Sequence, residues 1–235
     1  MGGLVIYQYK KFITAYQYIA PCMFFLTALI MLYFYSGQPI LSSFASSAII
    51  LLFIMTWLTT IILNLENIEE QQLLFVQLNG KRKYILGKLV FSCLVSIPFI
   101  LFAVAYPIVT MRFEQHLSVS NILLGIYIHI ALALLGIVFT LLLKVIQGLS
   151  QKYRWLVLVL IYLISILKIP LIQNFSILKF ILWVFPPVSE LLSVYNKDVS
   201  QLLNMPFAIL NVWFALYICV LITLIFVFVS RTEYR

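Results

Sequence analysis

Long runs of apolar residues, interrupted at wide intervals by short polar clusters, govern the reading of this chain. Between Lys11 and Glu66 there is no Asp, Glu, Lys or Arg. A bilayer core takes roughly 20 helical residues, so this run predicts two membrane spans. The break between them falls at Ser36-Gly37-Gln38-Pro39, where glycine and proline punctuate the chain. The helices then cover 18–35 and 43–63. The gap between Lys88 and Arg112 predicts a third span, and 121–143, broken only by His129, a fourth. A fifth covers 155–172, with Lys168 near its end, where a long side chain can reach the headgroups. A sixth covers 205–229. The pattern predicts an all-α polytopic bundle of about six transmembrane helices, forming one domain over 1–235.

The segments between these runs carry their own patterns. In 1–16, Val5, Tyr9, Phe12, Ile13 and Tyr16 recur at helical spacing, with Gln8, Lys10, Lys11 and Thr14 on other faces. This describes a helix lying in the headgroup layer, or else the start of the first span. The segment 65–83, LENIEEQQLLFVQLNGKRK, has Glu66, Glu69 and Glu70 at its head and Asn79-Gly80 with Lys81, Arg82 and Lys83 at its foot. Helix dipoles and glycine C-caps favour that order, and the pattern predicts a helix of about 15 residues. Leu73, Leu74, Phe75, Val76 and Leu78 make it more apolar than a solvated linker requires. It lies on the membrane or docks into another protein. The segment 173–204 is apolar around Phe180, Ile181 and Trp183, breaks at Phe185-Pro186-Pro187, and resumes as VSELLSVY. Two short helices meeting at the diproline and dipping into the outer leaflet fit this pattern, as does one amphipathic surface helix.

Composition removes the soluble alternatives. The hydrophobic share is 64%, the charged share 9% and the mean hydropathy +1.12, against roughly 45–50% apolar and 25% charged in an ordinary globular chain. The net charge of +8 requires no nucleic-acid partner, because loops on the cytoplasmic side collect Lys and Arg. With the N-terminus inside, the inner segments hold Lys10, Lys11, Lys81, Arg82, Lys83, Lys88, Lys144, Lys152, Arg154, Arg231 and Arg235. The outer ones hold Arg112, Lys168, Lys179 and Lys197. Both termini are therefore expected in the cytoplasm. Cys22, Cys93 and Cys219 lie in apolar stretches, form no CxxC, and read as buried hydrophobes. The opening MGGLVIYQ has Ile6 where a myristoylation signal needs Ser or Thr, and no AxA-like site follows, so no processing is expected.

The string EEQQLLFVQLNGKRKYILGK, set in this architecture, resembles the membrane subunit of a type-2 ABC exporter, the permease family behind many bacterial drug, polysaccharide and peptide exporters. The likeness covers nearly the whole chain. It implies that the helix after the second span contacts a separate ATPase through Glu69, Glu70, Leu73, Leu74, Phe75, Leu78, Asn79, Gly80, Lys81 and Arg82, with Leu86-Gly87-Lys88 leading into the third span. The pattern departs at one point: many members place a proline before the basic turn, where this chain has Leu78-Asn79-Gly80. The resemblance implies short outer helices turning at Trp183, Phe185, Pro186 and Pro187, a second permease subunit, identical or paralogous, and a lipid environment in a bacterial cell membrane. The aromatic, nearly uncharged spans suit an apolar or amphipathic cargo such as a membrane-active peptide or lipid, and of these the resemblance favours an amphipathic peptide.

No GxxxxGK[ST] loop is present, since Gly80 and Gly87 are wrongly spaced and Lys88 is followed by Leu89. ATP and Mg are accordingly expected on the partner, with no cofactor or metal in this chain. An ion-coupled transporter would place ionisable groups near the midplane, where only His129 stands. An intramembrane metalloprotease would need HExxH or its equivalent; His116 and His129 are far apart and have no acidic neighbour. Glu69-Glu70 lacks the arginine and histidines of intramembrane prenyl-protein endopeptidases. Ser42, Ser43, Ser46 and Ser47 read as small residues permitting close helix packing. No enzymatic activity is expected. A non-transporting membrane sensor or immunity protein remains the other alternative.

Overall fold

The computed structural model describes residues 2–114, 117–146, 150–195 and 205–231, whose regular elements are all helices, with no strand among the described residues beyond an isolated bridge between Gln38 and Phe113. Readings that fall on His116, Lys197, Arg235, the side chain of Arg231 and residues 196–204 lie outside the described residues.

Four helices are each long and apolar enough to cross a bilayer: α3 (Ile40–Leu63), α5 (Lys81–Val109), α6 (Val119–Val145) and α11 (Met205–Arg231). Two bent pairs raise the number to six. The first pair is α1 (Gly2–Thr14) with α2 (Ile19–Leu32), bent by 78°; the second is α7 (Gln151–Ile166) with α8 (Lys168–Asn174), bent by 62°. The rest of the helical structure is short: α4 (Ile68–Gln77), α9 (Leu178–Leu182) and α10 (Val188–Val194). The chain is a polytopic all-α membrane bundle with four to six spans.

Contacts give the direction of each helix. α3 and α6 form the most extensive pair and run parallel: Ser47 meets His129 near one end and Asn64 meets Lys144 at the other. Small residues let their backbones approach. A Cβ on Gly136 would stand 2.8 Å from the Leu52 carbonyl oxygen, and one on Gly125 2.8 Å from the Phe44 ring. Ser43 and Ser47 lie buried beside this seam. α2 and α5 run the opposite way, with Phe25 edge-on to Phe99 and Tyr33 edge-on to Tyr106. α7 runs with them, its Tyr162 hydroxyl 3.0 Å from Thr56 Oγ1. α11 follows α6, with Tyr127 donating to Asn211 Oδ1 at 2.5 Å and Phe139 beside Tyr217. One end, called the base here, gathers Lys11, Lys88, Lys144 and Arg154 through contacts with Glu70, Glu66 and Asn64 and a shared cavity.

Several expectations change. The turn at Ser36–Pro39 is present, with Gly37 at φ 80°, but α2 is only 14 residues long. The third helix starts at Lys81 rather than after Lys88, so the lysine used to mark its boundary lies inside it. Gln8, assigned to a polar face, is fully buried: Leu4, Gln8 and Phe12 form the face that packs on α5. Lys168 does not snorkel; it is buried and pairs with Glu190 at 2.7 Å, tying α8 to α10. The cysteines are free, but none is buried as expected: Cys22 and Cys93 are half-buried and Cys219 is exposed.

Candidate functional site

The base end concentrates the predicted coupling residues, and local chemistry explains the short helix that carries them. Asn67 is extended at φ −70°, ψ 164°, and the Glu70 carboxylate accepts its backbone N–H at 3.0 Å, forming a capping box that starts α4. The helix ends by a Schellman motif. Gly80 N–H donates to the Phe75 carbonyl at 3.0 Å and Asn79 N–H to Val76 at 3.2 Å, with Asn79 left-handed at φ 53°. α4 therefore has 10 residues, shorter than the expected length because the chain reverses at Asn79-Gly80. Lys81, Arg82 and Lys83 belong to the first turn of α5, not to the foot of α4.

The ten residues divide between two faces. Leu74 is buried; Phe75 and Leu78 are half-buried against the bundle, and Phe75 meets Tyr84 edge-on at 5.0 Å. Glu69, Leu73, Asn79 and Arg82 are exposed. Gly80 and Lys81 are half-buried. Ile68, Leu73 and Val76 are 66%, 60% and 77% exposed, so α4 presents apolar side chains outward beside Glu69 and Gln72. The sequence pattern did not separate these faces, and Val76 was not among the predicted contact residues.

Polar links bind α4 and its flanks to the bundle. Lys11 on α1 pairs with Glu70. Burial of the Lys11 ammonium works against its charge, but hydrogen bonds to Glu70 and Tyr7 outweigh this and raise its pKa. The same Lys11 bond, joined by the Asn67 N–H, lowers the pKa of Glu70. Within the segment itself, Gln71 Nε2 donates to the Glu66 carbonyl at 3.0 Å. Beneath this lies a fully buried pair, Lys88 with Glu66, in which the ammonium also donates to the Ile62 carbonyl at 2.7 Å and the Tyr84 hydroxyl to Glu66 Oε2 at 3.0 Å. The spacing of 22 residues between the two partners offers no local signal in the sequence. Gly87 is where α1 rests, because a Cβ there would collide with Leu4.

The outer segment divides at the predicted place, with α9 and α10 on either side of Pro186-Pro187. Both prolines are buried, Phe185 is half-buried and Trp183 is exposed. Trp183 packs on Trp213 at 5.4 Å and Tyr217 donates to the Val184 carbonyl at 2.9 Å. These partners lie about 12 and 18 Å along α11 at 1.5 Å per residue. Tyr195 donates to the Leu124 carbonyl at 2.9 Å. His129 is fully buried in α6 with both ring nitrogens engaged: Nδ1 is 2.7 Å from the Gly125 carbonyl and Nε2 2.9 Å from Ser47 Oγ. Among the described residues no group of three His, Cys, Asp or Glu could hold a metal. Compared with known protein families, curated proteins and solved structures, the chain matches none.

Proposed function

We propose that this polytopic membrane protein is the permease subunit of an ATP-driven exporter of the type-2 ABC kind, docking a separate ATPase at its base. The observation that carries the reading is α4: a capped helix joined to α1 by Lys11–Glu70 and to α5 by Phe75–Tyr84, with Ile68, Leu73 and Val76 exposed. Single exposed apolar residues are ordinary, but a row of them on a helix held this firmly is a surface for a partner. The position of α4 between α3 and α5, and of short helices before α11, is that of the family the sequence resembles. ATP and Mg belong to the partner. Closure of two ATPases would push α4, and its links would carry the push into α1, α3 and α5 as a rigid-body rock. A second permease subunit completes the pathway. The spans carry little charge, which suits an apolar or amphipathic cargo such as a membrane-active peptide. The basic residues gathered at the base support a reading in which the base and both termini face the cytoplasm of a bacterial cell.

The experiment replaces Leu73 and Val76 with Asp. Because both side chains are exposed, thermal stability should change by less than about 0.5 kcal/mol, while copurification with the ATPase and stimulation of its activity are lost. Phe75→Asp is a poorer probe, since it would unseat α4 from Tyr84 whether or not a partner exists. Unchanged ATPase binding by the Leu73→Asp/Val76→Asp protein would refute the docking surface. Transport that proceeds without nucleotide would favour an ion-coupled carrier, for which the buried Lys88–Glu66 pair would then be the first candidate.

A further inference from the structure

The base carries a second polar feature that the α4 surface does not use. Lys144, in the last turn of α6, and Arg154, in the first turn of α7, line one small cavity with Thr60, Asn64 and Trp155. Lys144 donates to Asn64 Oδ1 at 2.8 Å, a bond that neutralises no charge. The Arg154 Nε–H is buried without a hydrogen-bond partner. The carboxylate whose field reaches Lys144 is Glu66, already engaged by Lys88 and Tyr84. Among the described residues no carboxylate pairs with either cation; two such cations facing one space repel each other, and an anion between them removes the repulsion and supplies the missing acceptor. The N-terminus of α7 adds the same sign.

The cavity volume, about 20 Å³, is that of a site for one water-sized group. It admits one oxygen of an anion whose body stays at the mouth. What lies beyond the mouth identifies the class. Trp155 also lines an apolar groove of about 730 Å³ between α2, α3 and α7, with Phe24, Ile50, Phe53 and Trp57. Ile50, Phe53, Trp57, Thr60 and Asn64 follow one another at three- and four-residue steps along one face of α3. Pocket and groove are thus one surface, cationic at the base and aromatic further along the span. We propose that this surface binds an anionic phospholipid of the leaflet at the base, with a phosphate oxygen between Lys144 and Arg154 and an acyl chain against Trp155, Trp57 and Phe53. Basic pockets between membrane helices are suited to such headgroups.

The test reconstitutes the chain in mixed phosphatidylglycerol and phosphatidylcholine bilayers and reads, by native mass spectrometry, which lipid the released protein retains. Phosphatidylglycerol should be retained preferentially. Arg154→Gln, at a half-exposed position, should lower the preference about fivefold, and Lys144→Gln/Arg154→Gln should abolish it. Lys10→Gln/Lys83→Gln removes the same charge from exposed positions and should leave the preference intact. An equal loss in that variant would mean general surface charge and would overturn the site, as would equal retention of both lipids by the unaltered protein. Displacement of phosphatidylglycerol by inorganic phosphate alone would also overturn it, by identifying a soluble anion as the occupant. The readout needs neither nucleotide nor ATPase, so its outcome is separate from that of the exporter proposal.

Discussion

Lys88, in the second turn of α5, meets the carboxylate of Glu66 beyond the foot of α3 with both side chains fully buried. Removing one partner leaves an uncompensated charge in a low-dielectric site, which typically costs about 3–5 kcal/mol. Lys88→Met should therefore lower the thermal stability of the detergent-purified protein sharply. Lys88→Met combined with Glu66→Gln should recover most of the loss, because no charge is then left buried. Equal loss in the single and double variants would show that packing, not charge, dominates the site.

The Lys11–Glu70 link between α1 and α4 has a definite pH window. The pKa of Glu70 is lowered from its ordinary 4.5 by the Lys11 hydrogen bond and the Asn67 N–H. Its contribution is thus complete above 4.5 and is lost as pH falls through the lower folded value. The pKa of Lys11 is raised from its ordinary 10.5, so its contribution is complete below 10.5 and is lost as pH rises through the higher folded value. A spin-label distance between α1 and α4 should stay constant between these limits and lengthen in acid. Glu70→Gln should lengthen it at neutral pH; a distance that drifts near neutrality would contradict the pairing.

Gly136 faces a backbone atom, the Leu52 carbonyl oxygen, and this neighbour cannot rotate away. Gly136→Ala should therefore force α3 and α6 apart at a cost of about 1–3 kcal/mol, the usual range for overpacking. Gly37→Ala provides the contrast. It has open space around it but a φ of 80°, so its effect should be the smaller one of backbone strain, about 1 kcal/mol. Thermal unfolding of both variants decides whether the α3–α6 seam is as tight as its geometry requires.

Much of the site was legible in local pattern and part of it was not. Glu70 three residues after Asn67, and Asn79-Gly80 at the other end, mark a helix whose caps need no distant contact. Its two faces were not legible, because Leu73, Leu74 and Phe75 are consecutive apolar residues. Only the neighbours Tyr84 and Glu66 decide which of them turn inward. Arg154 and Lys144 read as loop cations, and nothing in their spacing announced a shared cavity.

The sequence by itself determined the class of this protein and two of the places where its chain turns. Uncharged runs of span length have no favourable place in water, and turns at Gly37-Gln38-Pro39 and Asn79-Gly80 are dictated by backbone preferences carried by those residues. Tertiary structure alone decided which charges are buried and what they meet. Lys88, Lys168 and Glu66 look alike to any hydropathy rule, since each is costly in apolar surroundings when alone. Their burial becomes tolerable only when Lys88 meets Glu66 and Lys168 meets Glu190, and that pairing is a property of packed helices, not of any stretch of chain.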